Sequence, residues 1–233
     1  MARAFLSLLP LALAAGCAAT VGRQPAFMSG TSGVNDFAVP VQSMEARKFL
    51  SVVRQRFDFS CGSAALATLL RYHYADPQTE EAVFQGMWRD GDRAQIRRIG
   101  FSLLDMKRYL VQRGLRADGF KVTLAKVQQT GVPGIVLIEQ RGYRHFVVVK
   151  GVGAADVLLG DPSLGLRTVS RNEFQRSWNN IYFVLNTDLE KGRAAFNTDA
   201  QWAQFSRAPI GGRFIDPLSV QALNLAAPFY RDF

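Results

Sequence analysis

Ten successive residues without a charge, CGSAALATLL from Cys61 to Leu70, break an otherwise mixed pattern. An uncharged run of that length predicts a helix buried on most sides. Ser60 stands at its N-cap position, which makes Cys61 the first helical residue. The small side chains of Gly62, Ser63, Ala64 and Ala65 let neighbouring backbone come close. Further helices are marked by their caps. Thr79 precedes Glu80 and Glu81, and Ser102 with Asp105 reads as a capping box before an amphipathic stretch that Gly114 ends. Thr123 to Gln129 forms a shorter helix stopped by Gly131 and Pro133. The period then changes. GIVLIEQ (134–140), HFVVVKGV (145–152), DVLLGD (156–161), LRTVS (166–170) and IYFVLN (181–186) are short β-branched runs between turn residues, hence strands. Ser170 and Glu173 read as another capping box around EFQRSW, and FLSVV (49–53) reads as one more strand. Helices first and strands later predict an α+β domain with an antiparallel sheet.

The N-terminus differs. Arg3 is followed by an apolar stretch from Phe5 to Ala15, too short to span a bilayer but suited to a secretory signal. LALAAGC ends in small residues before Cys17 and resembles a bacterial lipobox, in which the cysteine is lipidated; plain cleavage after Ala19 is the alternative. The chain therefore divides into an export segment (1–19), a Gly/Ser-rich linker and extended lead-in (20–47), a domain (48–187) and a C-terminal extension of unassigned role (188–233). The expected location is the periplasm, with attachment to the outer membrane if Cys17 is lipidated.

Composition narrows the class. With 28 Lys and Arg against 19 Asp and Glu the chain is basic, but the arginines are scattered rather than clustered, which argues for a solvated surface and against nucleic-acid binding. Of the two cysteines, only Cys61 lies beyond the export segment, so no disulfide forms within the mature body. A free thiol in an oxidising compartment invites a chemical explanation. Two histidines and no ligand-spaced cluster predict no metal, and no cofactor is expected.

Cysteine catalysis needs a thiolate, a base, a group to orient that base, and donors for an oxyanion. A helix N-terminus favours the thiolate at Cys61; the bland alternative is an inert core cysteine. His145 opens a strand, and Asp161 follows 16 residues later at the end of the next. If the two strands pair antiparallel, the hairpin returns Asp161 to His145. Gln55, six residues before the cysteine, is placed to offer its amide NH2 beside the Cys61 backbone N–H. His73 lies about three turns along the same helix, too far to touch the thiol, and reads as structural.

Q-x5-C-G-x-x-A-L, then H-F-V-V-V, then D-P one strand later, resembles the C39 cysteine peptidases over residues 50 to 186. These are papain-like enzymes that remove double-glycine leaders from exported peptides. The resemblance implies Cys61 as nucleophile, His145 as base, Asp161 as orienting acid and Gln55 as oxyanion-hole residue. It also implies a peptide or protein substrate. Most members are cytoplasmic domains of ATP-driven transporters. This chain shows no spanning segments and no G-x-x-x-x-G-K-[ST] loop, so it is more similar to the stand-alone periplasmic C39-like proteases of functional-amyloid secretion systems. Its partners are then a secreted or amyloid subunit and components of the secretion system. A non-catalytic C39-like binding or chaperone module, and an acyl transferase using the same groups, remain the competing functions.

Overall fold

Runs of β-branched residues pair here into a six-stranded antiparallel sheet covered by helices on both faces. The computed structural model describes residues 42–205 apart from residue 141. The expected export segment with Cys17, most of the expected lead-in and the tail from 206 lie outside the described residues. In chain order the elements are α1 (Met44–Lys48), α2 (Cys61–His73), α3 (Glu80–Asp90), α4 (Arg93–Ile99), α5 (Leu103–Gln112) and β1 (Ala117–Lys121). There follow α6 (Leu124–Thr130), β2 (Gly134–Gln140), β3 (Tyr143–Val152), β4 (Asp156–Asp161), β5 (Gly165–Ser170), α7 (Arg171–Ser177), β6 (Ile181–Leu185), α8 (Leu189–Ala194) and α9 (Asp199–Trp202). The sheet order is β1-β6-β2-β3-β4-β5. The α+β architecture expected from the pattern is the one observed. None of the described helices is long and apolar enough to cross a membrane.

The uninterrupted FVVV of β3 has a simple cause: both faces of this central strand are buried. Phe146 and Val148 join Ile135, Phe183 and the apolar residues of α2 in one core cluster. Val147 and Val149 join Leu124 and Val127 of α6 and Phe174 of α7 in another. Burying each such side chain stabilises the fold by roughly 1.5–3 kcal/mol, so β3 and α2 anchor one another. The close approach of α2 to the start of α5 depends on Gly62, where a Cβ would meet Phe101 Cβ at 3.0 Å and Met106 Cε at 3.1 Å.

Several expected caps form. Thr79, Ser102 and Thr123 accept hydrogen bonds from Ala82, Asp105 and Lys126, and Ser102 with Asp105 completes the capping box. Ser170 accepts from the Glu173 N–H, but the reciprocal bond from the Glu173 side chain does not form, so the expected box is only half made.

Two expectations need correcting. FLSVV is not a strand. Phe49, Leu50 and Val52 give their N–H groups to Ala46, Arg47 and Phe49, so the backbone is spent on local turns, and Val52 sinks into a small cluster with Leu158 and Leu166 on which Phe49 packs. Ser60 occupies the N-cap position of α2 but does not cap it. Its hydroxyl turns back, donating to the Phe57 carbonyl and accepting from the Phe57 N–H.

The far end of α2 holds His73, which is buried. Burial first, and then the nearby Lys150 charge, pull its imidazole well below the usual histidine range. Lys150 is itself fully buried, donating to the Ser51 carbonyl at 2.8 Å over the ring of Tyr72. His73 thus belongs to the packing. Beyond β6, α8 and α9 lie against the domain: Asn197 N–H donates to the Lys150 carbonyl, and Phe196 packs on the core.

Candidate active site

Cys61 sits on the first turn of α2, 8% exposed, at the floor of a cleft of about 830 Å3. Because Ser60 turns away, no side chain caps this helix end. Its first backbone N–H groups and the positive end of the helix dipole are left facing the thiol's surroundings, which favours negative charge there.

His145 and Asp161 meet through strand register. β3 and β4 pair antiparallel with Val148 opposite Gly160, so Asp161 falls diagonally across from His145, within reach of a side-chain pair. His145 Nε2 lies 2.7 Å from Asp161 Oδ1, and both groups are buried. With Nε2 engaged, Nδ1 is the nitrogen left over. It is buried with no close hydrogen-bond partner among the described residues, and the thiol of Cys61 is near enough to act on the ring. Burial is the largest influence on this imidazole and disfavours its charge. The Asp161 hydrogen bond and Cys61 oppose it and prevail, so the pKa is pushed up to about 9. Asp161 shows the mirror case: burial pushes its carboxyl up, but His145, the Ser163 N–H and Arg167 hold it below the usual carboxylate range.

Tyr143 stacks on the His145 ring with centroids 5.7 Å apart and 26° between planes. Its phenol is pushed up, by partial burial first and then by Cys61, Asp58 and Asp161, which places it over the same cluster. Tyr143 was not singled out by the sequence; its only signal was the i, i+2 spacing that puts it on the same face of β3 as His145.

Gln55 is tied to this cluster by backbone. Its N–H donates to the Pro162 carbonyl at 3.0 Å, immediately after Asp161. The side chain is half-buried with Oε1 turned inward and unpartnered. The structure therefore brings Cys61, His145 and Asp161 together, anchors Gln55 on the adjoining turn, and leaves His73 at the far end of α2.

Away from the cysteine the cleft is walled by α4 and the start of α5 on one side and by β2, β3 and β6 on the other. Ile99, Leu104 and Tyr143, all more than half exposed, turn apolar surface into it. Arg98 and Arg144 stand exposed at its rim, and neither forms an ion pair among the described residues.

Comparison with known proteins shows the family. The family model described as "Peptidase C39 family" matches residues 50–190, well over half the chain. The chain belongs to the peptidase C39 family. As a member it is a cysteine peptidase, and Cys61 is the free cysteine among the described residues. It is 45% identical to "Probable functional amyloid protease FapD" of Pseudomonas aeruginosa over 65% of this chain and 68% of that protein. Identity to the protein of the same name from Pseudomonas fluorescens is 44%, over 66% of this chain and 69% of that one. Among solved structures, a double glycine motif protease from an AMS/PCAT transporter, in complex with its leader peptide, aligns with a TM-score of 0.48 at 26% identity. That alignment covers 57% of this C39 peptidase and 89% of the solved chain.

Proposed function

We propose that the protein is an exported endopeptidase that cleaves a secreted peptide or protein through Cys61, His145 and Asp161. The observation that carries this reading is the buried His145–Asp161 pair, which leaves Nδ1 unpartnered beside the cysteine at the floor of an open cleft. In the first step the Cys61 thiolate attacks the scissile carbonyl carbon. The C=O electrons move onto oxygen, where the Cys61 N–H and the Gln55 amide stabilise the charge. The tetrahedral species collapses as imidazolium Nδ1–H gives its proton to the departing amine, leaving a thioester on Cys61. Water then attacks that thioester, losing a proton to Nδ1, and the acid product leaves with regeneration of the thiol pair. Asp161 accepts from Nε2 throughout, fixing the ring and balancing its charge.

The cleft suits a peptide segment bearing apolar side chains, which Ile99, Leu104 and Tyr143 would cover. The export segment with Cys17, and the likeness to proteins named for functional amyloid, support an extracytoplasmic substrate such as an amyloid subunit, met in the periplasm beside secretion components. Fatty-acid labelling of the native host is expected to tag the full-length protein and not a Cys17→Ser variant. Equal labelling of both, or protein confined to the cytoplasm, would contradict the export reading.

Gln55 provides the test specific to this mechanism. Gln55→Ala is expected to react with a small alkylating agent as the parent does, because the oxyanion has not yet formed. Its cleavage rate should fall by about 10²- to 10³-fold. Cleavage of a secreted-subunit peptide, followed by mass spectrometry, measures this; a parent rate in the variant would remove Gln55 from the site.

A further inference from the structure

The Asp161 carboxylate accepts more than the proposed chemistry requires. Its Oδ1 takes the bond from His145 Nε2 together with the N–H groups of Ser163, at 2.9 Å, and Leu164, at 3.2 Å. Oδ2 is held by one donor, Arg167 Nε at 2.9 Å. The carboxylate is 1% exposed and the Arg167 side chain 22%, so this pair is withdrawn from solvent. Register explains the contact. In the β4–β5 hairpin Asp161 pairs with Gly165 and Leu159 with Arg167, which sets Arg167 on the diagonal from Asp161. The hairpin is held tight by Gly165, at φ +79°, where Lys48 packs so closely that a Cβ would clash.

We propose that Arg167 is a positioning residue for this centre: its guanidinium locks the rotamer of Asp161 and closes an alternating row of thiolate, imidazolium, carboxylate and guanidinium. The inference rests on the assignment of Cys61, His145 and Asp161 given above. Arg167 is not among the residues lining the cleft; it acts through the carboxylate. Four charges of alternating sign leave the row neutral, and each ion has its counterion next to it. Without Arg167 the buried Oδ2 has no donor, and the carboxylate is free to turn away from the plane of the imidazole. The charged and titratable groups facing Asp161 are His145 and Tyr143 from β3 and Arg167 from β5, while Cys61 from α2 acts on His145 and Tyr143. Asp58, from the loop before α2, acts on Tyr143.

A purely structural arginine and a positioning one differ in their kinetic signatures. In Arg167→Gln, kcat is expected to fall by up to about 10²-fold with KM unchanged, since misplacement of a reacting group costs rate rather than binding. The acid limb of the pH–rate profile should move up by about one pH unit, because Asp161 loses a cation that favours its charged form. The alkaline limb should also move up, because His145 loses a like charge. In Arg167→Lys the charge remains and the planar fork is lost, so the limbs should return towards the parent while kcat stays several-fold low. Folded Arg167→Gln with the parent kcat and unmoved limbs would overturn the proposal. If Arg167→Gln does not fold, Arg167→Lys decides, and a parent kcat there would overturn it equally. Loss of turnover in Cys61→Ala alongside an unaffected Arg167→Gln would remove this inference alone; turnover retained in Cys61→Ala would remove the reading beneath it.

Discussion

Cys61→Ala is expected to fold as the parent does and to cleave nothing. No other side chain in the cluster can form the thioester, and loss of a nucleophile that works as a unit with its base costs about six orders of magnitude in kcat. The fold should hardly notice. Cys61 lines the cleft and also joins the core cluster around α2, but trimming it to alanine removes only the sulfur at an uncapped helix start, so a cost of about 1 kcal/mol is expected. A thermal melt beside a cleavage assay checks both halves. Residual turnover within 10³-fold of the parent, by rough scale, would place the chemistry elsewhere, because oxyanion donors and binding alone give about 10³–10⁴ over water.

The second large effect concerns pH. Cleavage by the parent is expected to fall as pH rises through about 9, where the His145 imidazolium loses the proton it must give to the leaving amine. Asp161→Asn removes the charge that opposes burial, so the alkaline limb should move down by more than one pH unit, by rough estimate. Its rate near neutrality should drop by about 10⁴, between the losses expected for Gln55→Ala and Cys61→Ala. Stability should follow the same group. Because the imidazole titrates higher folded than unfolded, its contribution is fully present below about 6.5 and is lost as pH rises through about 9. That difference is worth on the order of 3 kcal/mol. Chemical denaturation of parent and His145→Ala between pH 6 and pH 10 measures it; parallel curves would contradict the ion-paired imidazole.

What the sequence reveals follows from where packing leaves a pattern. β2 and β4 are readable to the residue because each is a short run of buried, apolar positions bounded by Gly or turn residues. Tyr143 and Arg144 extend β3 beyond its apolar run because they sit on the exposed end of the hairpin. β1 was not legible. Its ADGFK is poor in strand formers, and pairing with β6 alone makes it a strand. α4 was missed although Asp92 caps it and Gly100 ends it at φ +81°, since Ile96 is its only buried residue and leaves no period. FLSVV misled for the converse reason: a short apolar run reads alike whether it pairs or turns.

The candidate site divides in the same way. Cys61 announces itself by an uncharged helix and Gln55 by its spacing, whereas joining His145 to Asp161 requires only that β3 and β4 form a hairpin. Arg167 looks like any surface arginine until the β4–β5 register sets it on the diagonal from Asp161. The turned-back hydroxyl of Ser60 was equally hidden, because a good capping residue looks the same whether or not it caps.

Acid quenching during turnover tests the central claim most directly. The parent is mixed with a substrate peptide, stopped in acid within one turnover, and digested for mass spectrometry. The peptide containing Cys61 should carry the N-terminal cleavage fragment as a thioester, and Cys61→Ala should yield neither adduct nor product. Product formed with no adduct on Cys61, and equally by Cys61→Ala, would contradict the account.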